Sequence, residues 1–395
     1  MKNVWICMIL LFVGVHVCCA DGYRIKGKII GGGEGMKIFL TTKSSFDRVV
    51  FDSAIIKNGE FEFQGRMDFP ALRAITINKD VTNRNTYQST VSLPFFLDNS
   101  SIEIVAPYDS LPSLSSNRVS SSIKIIGSPS NDLYMAYCEG MRMLNVEYDK
   151  VWEACVRAYY YDLEKDDAGK FILQPTFDLL SRLECCKEQI YRYQINFIKR
   201  YPDSPVSLQV LKTLPLVKYG RKEMHNVFSL LSENLKNSSY GKLLFKELTE
   251  KPIYTRDKYV DIELLNQEGD TVKLSDMIQP EKYTLLEIWA SWCGPCRMDI
   301  PYLKESYKTW YDKGFNIVSV SIDSNKEQWK KALKQEQMPW IQLCDKGHNF
   351  DCEIVKEYGV KGVPSSFLID PQGEIILING RGGLLDMKLV ELLDK

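Results

Sequence analysis

From Tyr23 to about Gly127 apolar and polar residues alternate with a period of two. Tyr23-Arg24-Ile25-Lys26-Gly27-Lys28-Ile29 sets the pattern, and the runs around Ile38, Val50, Phe61, Ile75, Phe95 and Ile104 repeat it. Period two sends every second side chain to the same face of a strand, so these runs predict half-buried strands. Asn58-Gly59, between two of them, is a hairpin signal because both positions tolerate positive φ. Asp98-Asn99 marks a further turn. Gly31-Gly32-Gly33 has no Lys-Ser/Thr after it and opens no helix, so it reads as a turn and not a phosphate loop. The expectation is an antiparallel β-domain, a sandwich or small barrel.

From Asn131 to about Glu250 the apolar spacing becomes three and four: Leu133, Ala136 and Tyr137, then Val151, Cys155, Ala158, and later Leu180, Leu183, Ile190 and Phe197. That is helical periodicity. Pro202 and Pro205 end one helix, and Pro215 with Gly220 ends another. After Tyr259 the rhythm changes again. A hairpin turns at 266–270, an apolar strand covers 283–289, and a helix runs from Cys293 to about Lys313. A strand at 315–322, helices at 326–335 and 351–358, strands at 363–369 and 374–379, and a terminal helix at 384–393 complete the pattern. Such alternation predicts an α/β fold with a mixed central sheet. The chain is thus expected to be multidomain: a β-domain at 21–127, an all-α region at 128–256 and an α/β domain at 257–395.

The first twenty residues stand outside this scheme. Lys2 precedes an apolar run at 4–17, and Cys18-Cys19-Ala20 follows, which is the layout of a signal peptide, residues 1–20. Cleavage after Ala20 would release a soluble exported protein. A lipid on Cys18 or Cys19 is the alternative, although Val17 and Cys18 suit a lipid-attachment motif poorly. Either route leads to an oxidising compartment. Net charge over 395 residues is -1, which supports neither nucleic-acid binding nor a polybasic membrane patch. Beyond the N-terminus no apolar run is long enough to span a bilayer.

The chain has eleven cysteines. Those beyond the leader are Cys138, Cys155, Cys185, Cys186, Cys293, Cys296, Cys344 and Cys352, and with His225 and His348 the only histidines there a structural zinc site is not expected. The four cysteines on the helical region read as small apolar core residues, with an auxiliary disulfide or metal as the other possibility. Cys293 and Cys296 are different. They bracket Gly294-Pro295 where the apolar strand gives way to a helix. The tight turn brings both sulfurs within bonding reach, and the helix N-terminus aims unpaired N–H groups and its positive dipole end at the first sulfur.

The stretch Trp289-Ala290-Ser291-Trp292-Cys293-Gly294-Pro295-Cys296, with Val363-Pro364 downstream, resembles the thioredoxin superfamily and its exported TlpA/ResA-like branch. The resemblance covers roughly 259–395. The preceding part resembles the β-domain and helical linker found ahead of such domains in bacterial envelope proteins, for which the family offers no activity. The resemblance implies a thiol–disulfide oxidoreductase with no cofactor beyond the redox-active disulfide Cys293–Cys296. Cys293 would attack and Cys296 would resolve. A Gly-Pro centre resembles the reducing members, so protein disulfides in the periplasm or cell envelope are the implied substrates. A membrane electron-donor protein is the implied partner, and membrane contact arises only if the chain is lipid-anchored.

Glu287 matches the buried carboxylate position of thioredoxins and would take the proton of Cys296. Leu285, Leu286 and Ile288 argue for a strand buried on both faces, against a Glu at a solvent-facing edge. Asp299 stands where this branch usually carries a Glu, with a shorter side chain. Val363-Pro364 is expected to be cis and to face the cysteines. With Trp292, Gly294 and Pro295 it would form the substrate-binding rim. Cys344 and Cys352 flank 345–349 and are either a second disulfide or two unrelated thiols. Two other functions remain open: a thioredoxin-fold thiol peroxidase, although Ala290 holds the place of the expected threonine, and a ligand- or partner-binding envelope protein with an accessory redox domain.

Overall fold

The computed structural model describes residues 22–43, 48–79, 89–114, 119–160, 174–250 and 253–394. The signal peptide expected at 1–20 lies outside the described residues. The chain divides into two compact units, 1–136 and 137–395.

Among the described residues the first unit has eight strands: β1 (Tyr23–Ile30), β2 (Lys37–Thr42), β3 (Val50–Ile55), β4 (Glu60–Gly65), β5 (Ala71–Asn78), β6 (Thr90–Leu97), β7 (Ser101–Pro107) and β8 (Lys124–Ile126). They form two four-stranded sheets, ordered β4-β1-β7-β8 and β3-β2-β5-β6. The alternation in β1 becomes strict alternation of buried and exposed positions. Ile25, Ile38, Leu40, Phe63, Phe95 and Ile104 fill the core. Two features depart from the sequence expectation. Asn58 and Gly59 do have φ of 54° and 75°. Lys57 and Glu60 bridge antiparallel across this turn as a hairpin would, but beyond that bridge β3 pairs with β2 and β4 with β1, so the turn carries the chain from one sheet to the other. Second, the described pairs are antiparallel except for β1 with β7, which run parallel. Five strands separate those two in sequence, and so long a connection can bring a strand back in either direction.

The second unit starts within α1 (Pro129–Tyr160), followed by α2 (Gln174–Arg200), α3 (Pro205–Thr213), α4 (Leu216–Tyr219), α5 (Arg221–Ser229), α6 (Glu233–Asn237) and α7 (Ser239–Thr249). Ser204 caps α3 by accepting from the Val206 amide, with Pro205 in the first turn. The α/β domain follows: β9 (Glu263–Leu265), β10 (Thr271–Lys273), β11 (Tyr283–Trp289), α8 (Gly294–Trp310), β12 (Phe315–Ser321), α9 (Lys326–Glu336), β13 (Ile341–Cys344), α10 (Glu353–Tyr358), β14 (Ser365–Ile369), β15 (Ile375–Ile378) and α11 (Gly383–Leu393). Its seven-stranded sheet is ordered β10-β9-β13-β12-β11-β14-β15. β11, β12 and β13 are parallel, β14 runs antiparallel to β11, and β15 runs antiparallel to β14. The sheet is therefore mixed, as the sequence predicts, with β11 an interior strand between β12 and β14.

Two findings were not legible in the sequence pattern. β13 occupies a segment where no strand is expected, because four residues are too few to display a period. And the helices do not form a free-standing linker. α11 packs against α2, and Thr255 donates from its amide to Val217 O at 3.1 Å and from its hydroxyl to Lys218 O at 2.8 Å. The Arg221 guanidinium grips the Asp257 carboxylate at 2.9–3.1 Å. Helical region and α/β domain are joined by polar contacts at the very residues that connect them.

Candidate active site

β11 is apolar because it is covered on both faces. Leu286 and Ile288 belong to one core, and Leu285 to another with Trp310, Phe315, Leu385 and Leu389. The strand ends at Trp289, and four residues later Cys293 becomes the N-cap of α8. Its sulfur accepts from the Cys296 amide at 3.2 Å, which satisfies one of the helix's free N–H groups. Pro295 sits in the first turn, where its missing N–H costs no helical bond. Cys293 and Cys296 form a disulfide. Cys293 keeps 4% exposure and Cys296 none, so an approaching sulfur meets Cys293 first.

The rim is partly apolar. Trp292 is half exposed, and its ring centroid lies 6.4 Å from that of exposed Phe350. Gly294 and Pro295, the first two residues of α8, are exposed. The Val363–Pro364 bond is cis. Val363 packs on the core that contains both cysteines, and Pro364 lines a narrow cleft with Glu287, Asp299 and Arg381. These residues are thus brought together from the strand–helix junction, the cis-proline turn and the loop before α11.

Glu287 lies in mid-β11, opposite Ser319 of β12 and Ser366 of β14. It is buried. Trp340 Nε1 donates to Ser319 Oγ at 2.7 Å, and an indole N–H can only donate, so the Ser319 proton is directed to Glu287 Oε2. Oε1 has no partner among the described residues. Burial pushes the Glu287 carboxyl up to about 7; the Ser319 bond opposes this, Asp299 adds to it and Arg381 opposes it. A carboxyl that exchanges its proton near neutrality suits general-base work at pH 7. Asp299, one turn beyond Cys296, is buried and paired with Arg381, whose Nε lies 2.6 Å from Oδ2.

Cys344 and Cys352 are not bonded to each other; both are buried free thiols. Burial pushes Cys344 up and Cys352 up to about 12, although Lys326 Nζ at 3.0 Å from the Cys344 sulfur pulls the other way. Thiols held so far from ionisation are poor nucleophiles. Of the helical cysteines, Cys155 and Cys186 do sit in a small core with Val151 and Leu183, whereas Cys185 is exposed.

Asp323 is a site residue that the sequence reading passes over. Its buried carboxylate accepts from the Ser291 amide at 2.8 Å, from the Ser291 hydroxyl at 2.7 Å and from Ser321 at 2.6 Å. It therefore pins the residue two before Cys293. A charge closing the apolar run 315–322 was the available signal. Arg381 had none, since its partner is 82 positions away. Among the described residues no helix is long and apolar enough to cross a membrane.

Residues 255–378 match the AhpC/TSA family model, and residues 23–134 match a domain of unknown function, DUF4369. The chain is 36% identical over 109 residues to the thiol-disulfide oxidoreductase ResA of Bacillus thuringiensis and 32% identical over 109 residues to that of Bacillus anthracis. Each match takes in 28% of this chain and 60% of the relative, so the chain spans about three fifths of those proteins. A thiol:disulfide interchange protein from a Bacteroides species is 30% identical, with 36% of this chain and 91% of that one covered and a TM-score of 0.33. The chain thus joins an N-terminal DUF4369 domain to a C-terminal thioredoxin-fold domain of the AhpC/TSA family, homologous to the ResA thiol-disulfide oxidoreductases.

Proposed function

We propose that the protein is a thiol–disulfide oxidoreductase that reduces protein disulfides in the bacterial cell envelope. The observation that carries the reading is the dithiol at the N-terminus of α8, with the Cys296 amide on the Cys293 sulfur and a buried carboxyl poised near neutrality behind it. The reaction balances as two electrons and two protons. The Cys293 thiolate attacks a substrate disulfide, one substrate sulfur leaves as thiolate, and a mixed disulfide remains. Glu287 accepts the Cys296 proton, and the Cys296 thiolate attacks the Cys293 sulfur. The second substrate thiolate departs, and Cys293–Cys296 is left oxidised. A dithiol donor must then reverse this exchange, and the signal-like N-terminus supports a donor that reaches the cell envelope.

The peroxidase alternative gains nothing from the site, because Ala290 is a buried apolar residue without a hydroxyl. The test is reduction of insulin disulfides with dithiothreitol as donor. The intact chain accelerates precipitation, and Cys293→Ser and Cys296→Ser each abolish the acceleration. Equal rates in all three proteins would sink the proposal.

A further inference from the structure

The loop between β15 and α11 reaches the site with one charged side chain. Its start is fastened to β14: Ser366 Oγ donates to Gly380 O at 3.0 Å, and the Asn379 amide donates to Ser366 O at 2.7 Å. Ser366 is the residue facing Glu287 across the sheet. Gly382, with φ of 54°, then takes a left-handed bend that non-glycine residues adopt at a cost. Between these two fixed points Arg381 lies against Asp299, with its Nε 2.6 Å from Oδ2 and a second guanidinium nitrogen on the same oxygen. Asp299, Arg381 and Glu287 line one cleft, with Pro364 and Ser366 beside them, which admits about one water molecule.

We propose that Arg381 is a positioning residue for the proton acceptor: by holding Asp299, it sets the charge that Glu287 faces across the cleft. This rests on Glu287 serving the dithiol as described above. A buried carboxylate without a countercharge acts at full strength on a second carboxylate in the same low-dielectric space. Paired with Arg381, most of that charge is cancelled. The groups facing Glu287 are Asp299 and Tyr302 from α8, Ser319 from β12, Ser366 from β14 and Arg381 from the loop. Ser319 and Ser366 carry no charge, and Tyr302 is held in its neutral form, first by burial and then by Asp386. That leaves Asp299 and Arg381 as the two charges, of opposite sign, that act on Glu287. Removing only Arg381 therefore makes Glu287 harder to ionise, and removing only Asp299 makes it easier.

The experiment is a carboxyl-13C NMR titration of Glu287 in the oxidised full-length protein, with Glu287→Gln to assign the resonance. Arg381→Gln is expected to move the midpoint up by about one pH unit and Asp299→Asn to move it down. Arg381→Lys keeps the wild-type midpoint within a few tenths. In the Arg381→Gln/Asp299→Asn protein most of the upward shift disappears, because the unpaired charge is gone. An unchanged midpoint in Arg381→Gln, with only lowered stability, would overturn the proposal. So would a double-variant midpoint as high as that of Arg381→Gln alone, since Asp299 would then carry none of the charge that Arg381 offsets. If Arg381→Gln fails to fold, Asp299→Asn decides alone: a midpoint that stays or rises refutes the idea. The titration involves no turnover. Shifts seen in a protein that cannot reduce insulin would leave this inference standing and remove the activity, and the converse result would do the opposite.

Discussion

At the scale of single residues, the site consists of groups whose surroundings have been chosen against their ordinary behaviour. Glu287 is a carboxyl placed where its charge is costly, with Ser319 supplying a bond to one oxygen and the other left open to carry a proton. That arrangement has a consequence for stability. In the unfolded chain Glu287 ionises near 4.5, and in the folded chain only at about 7. Below the lower value both states are protonated and the group contributes equally to each. As pH rises from 4.5 through 7 the unfolded state releases its proton first, so stability is lost across that window. The loss comes to roughly 3 kcal/mol at 1.36 kcal/mol per pK unit. Glu287→Gln is expected to lack it. Urea denaturation of both proteins between pH 4.5 and 8 reads the difference directly, because other titrating groups such as Asp386 are common to both. A wild-type minus variant difference that stays flat over that range would show that Glu287 is not held protonated by burial.

At the scale of elements, what was legible followed from whether the information was local. The strand–turn–helix around Cys293 is written in consecutive residues: apolar positions that fill both faces of β11, a capping sulfur, and a proline in the first turn of α8. The cis bond at Val363–Pro364 and the burial of Glu287 could be read in the same way. β13 could not, because its four residues show no period and its place is fixed by pairing with β12. Nor could the partner of Asn58-Gly59, since the dipeptide specifies the bend and not which strands it joins. The attachment of the helices to the α/β domain is of this second kind. It depends on Arg221 meeting Asp257 and on Thr255 meeting the carbonyls of α4, contacts with no sequence signature. A protein cut back to 257–395 loses the Arg221 partner of Asp257 and exposes the side of α11 that faces α2. It is expected to be less stable than 128–395 by about 2 kcal/mol or more in urea denaturation. Equal midpoints would mean that the helices only adjoin the domain.

At the scale of the whole molecule, every residue assigned to the chemistry comes from the second unit, between Glu287 and Arg381, and the β-unit contributes none of them. The central claim is a directional one: Cys293 meets the substrate, and Cys296, fully buried behind it, releases the product. The most direct test is to mix full-length, reduced Cys296→Ser protein with a model disulfide-bonded protein and map the covalent product by mass spectrometry under non-reducing conditions. The account predicts a stable one-to-one mixed disulfide on Cys293, with Cys344 and Cys352 still free, and no such adduct on Cys296 in the Cys293→Ser protein. An adduct at Cys296, or at either buried thiol in place of Cys293, would contradict it.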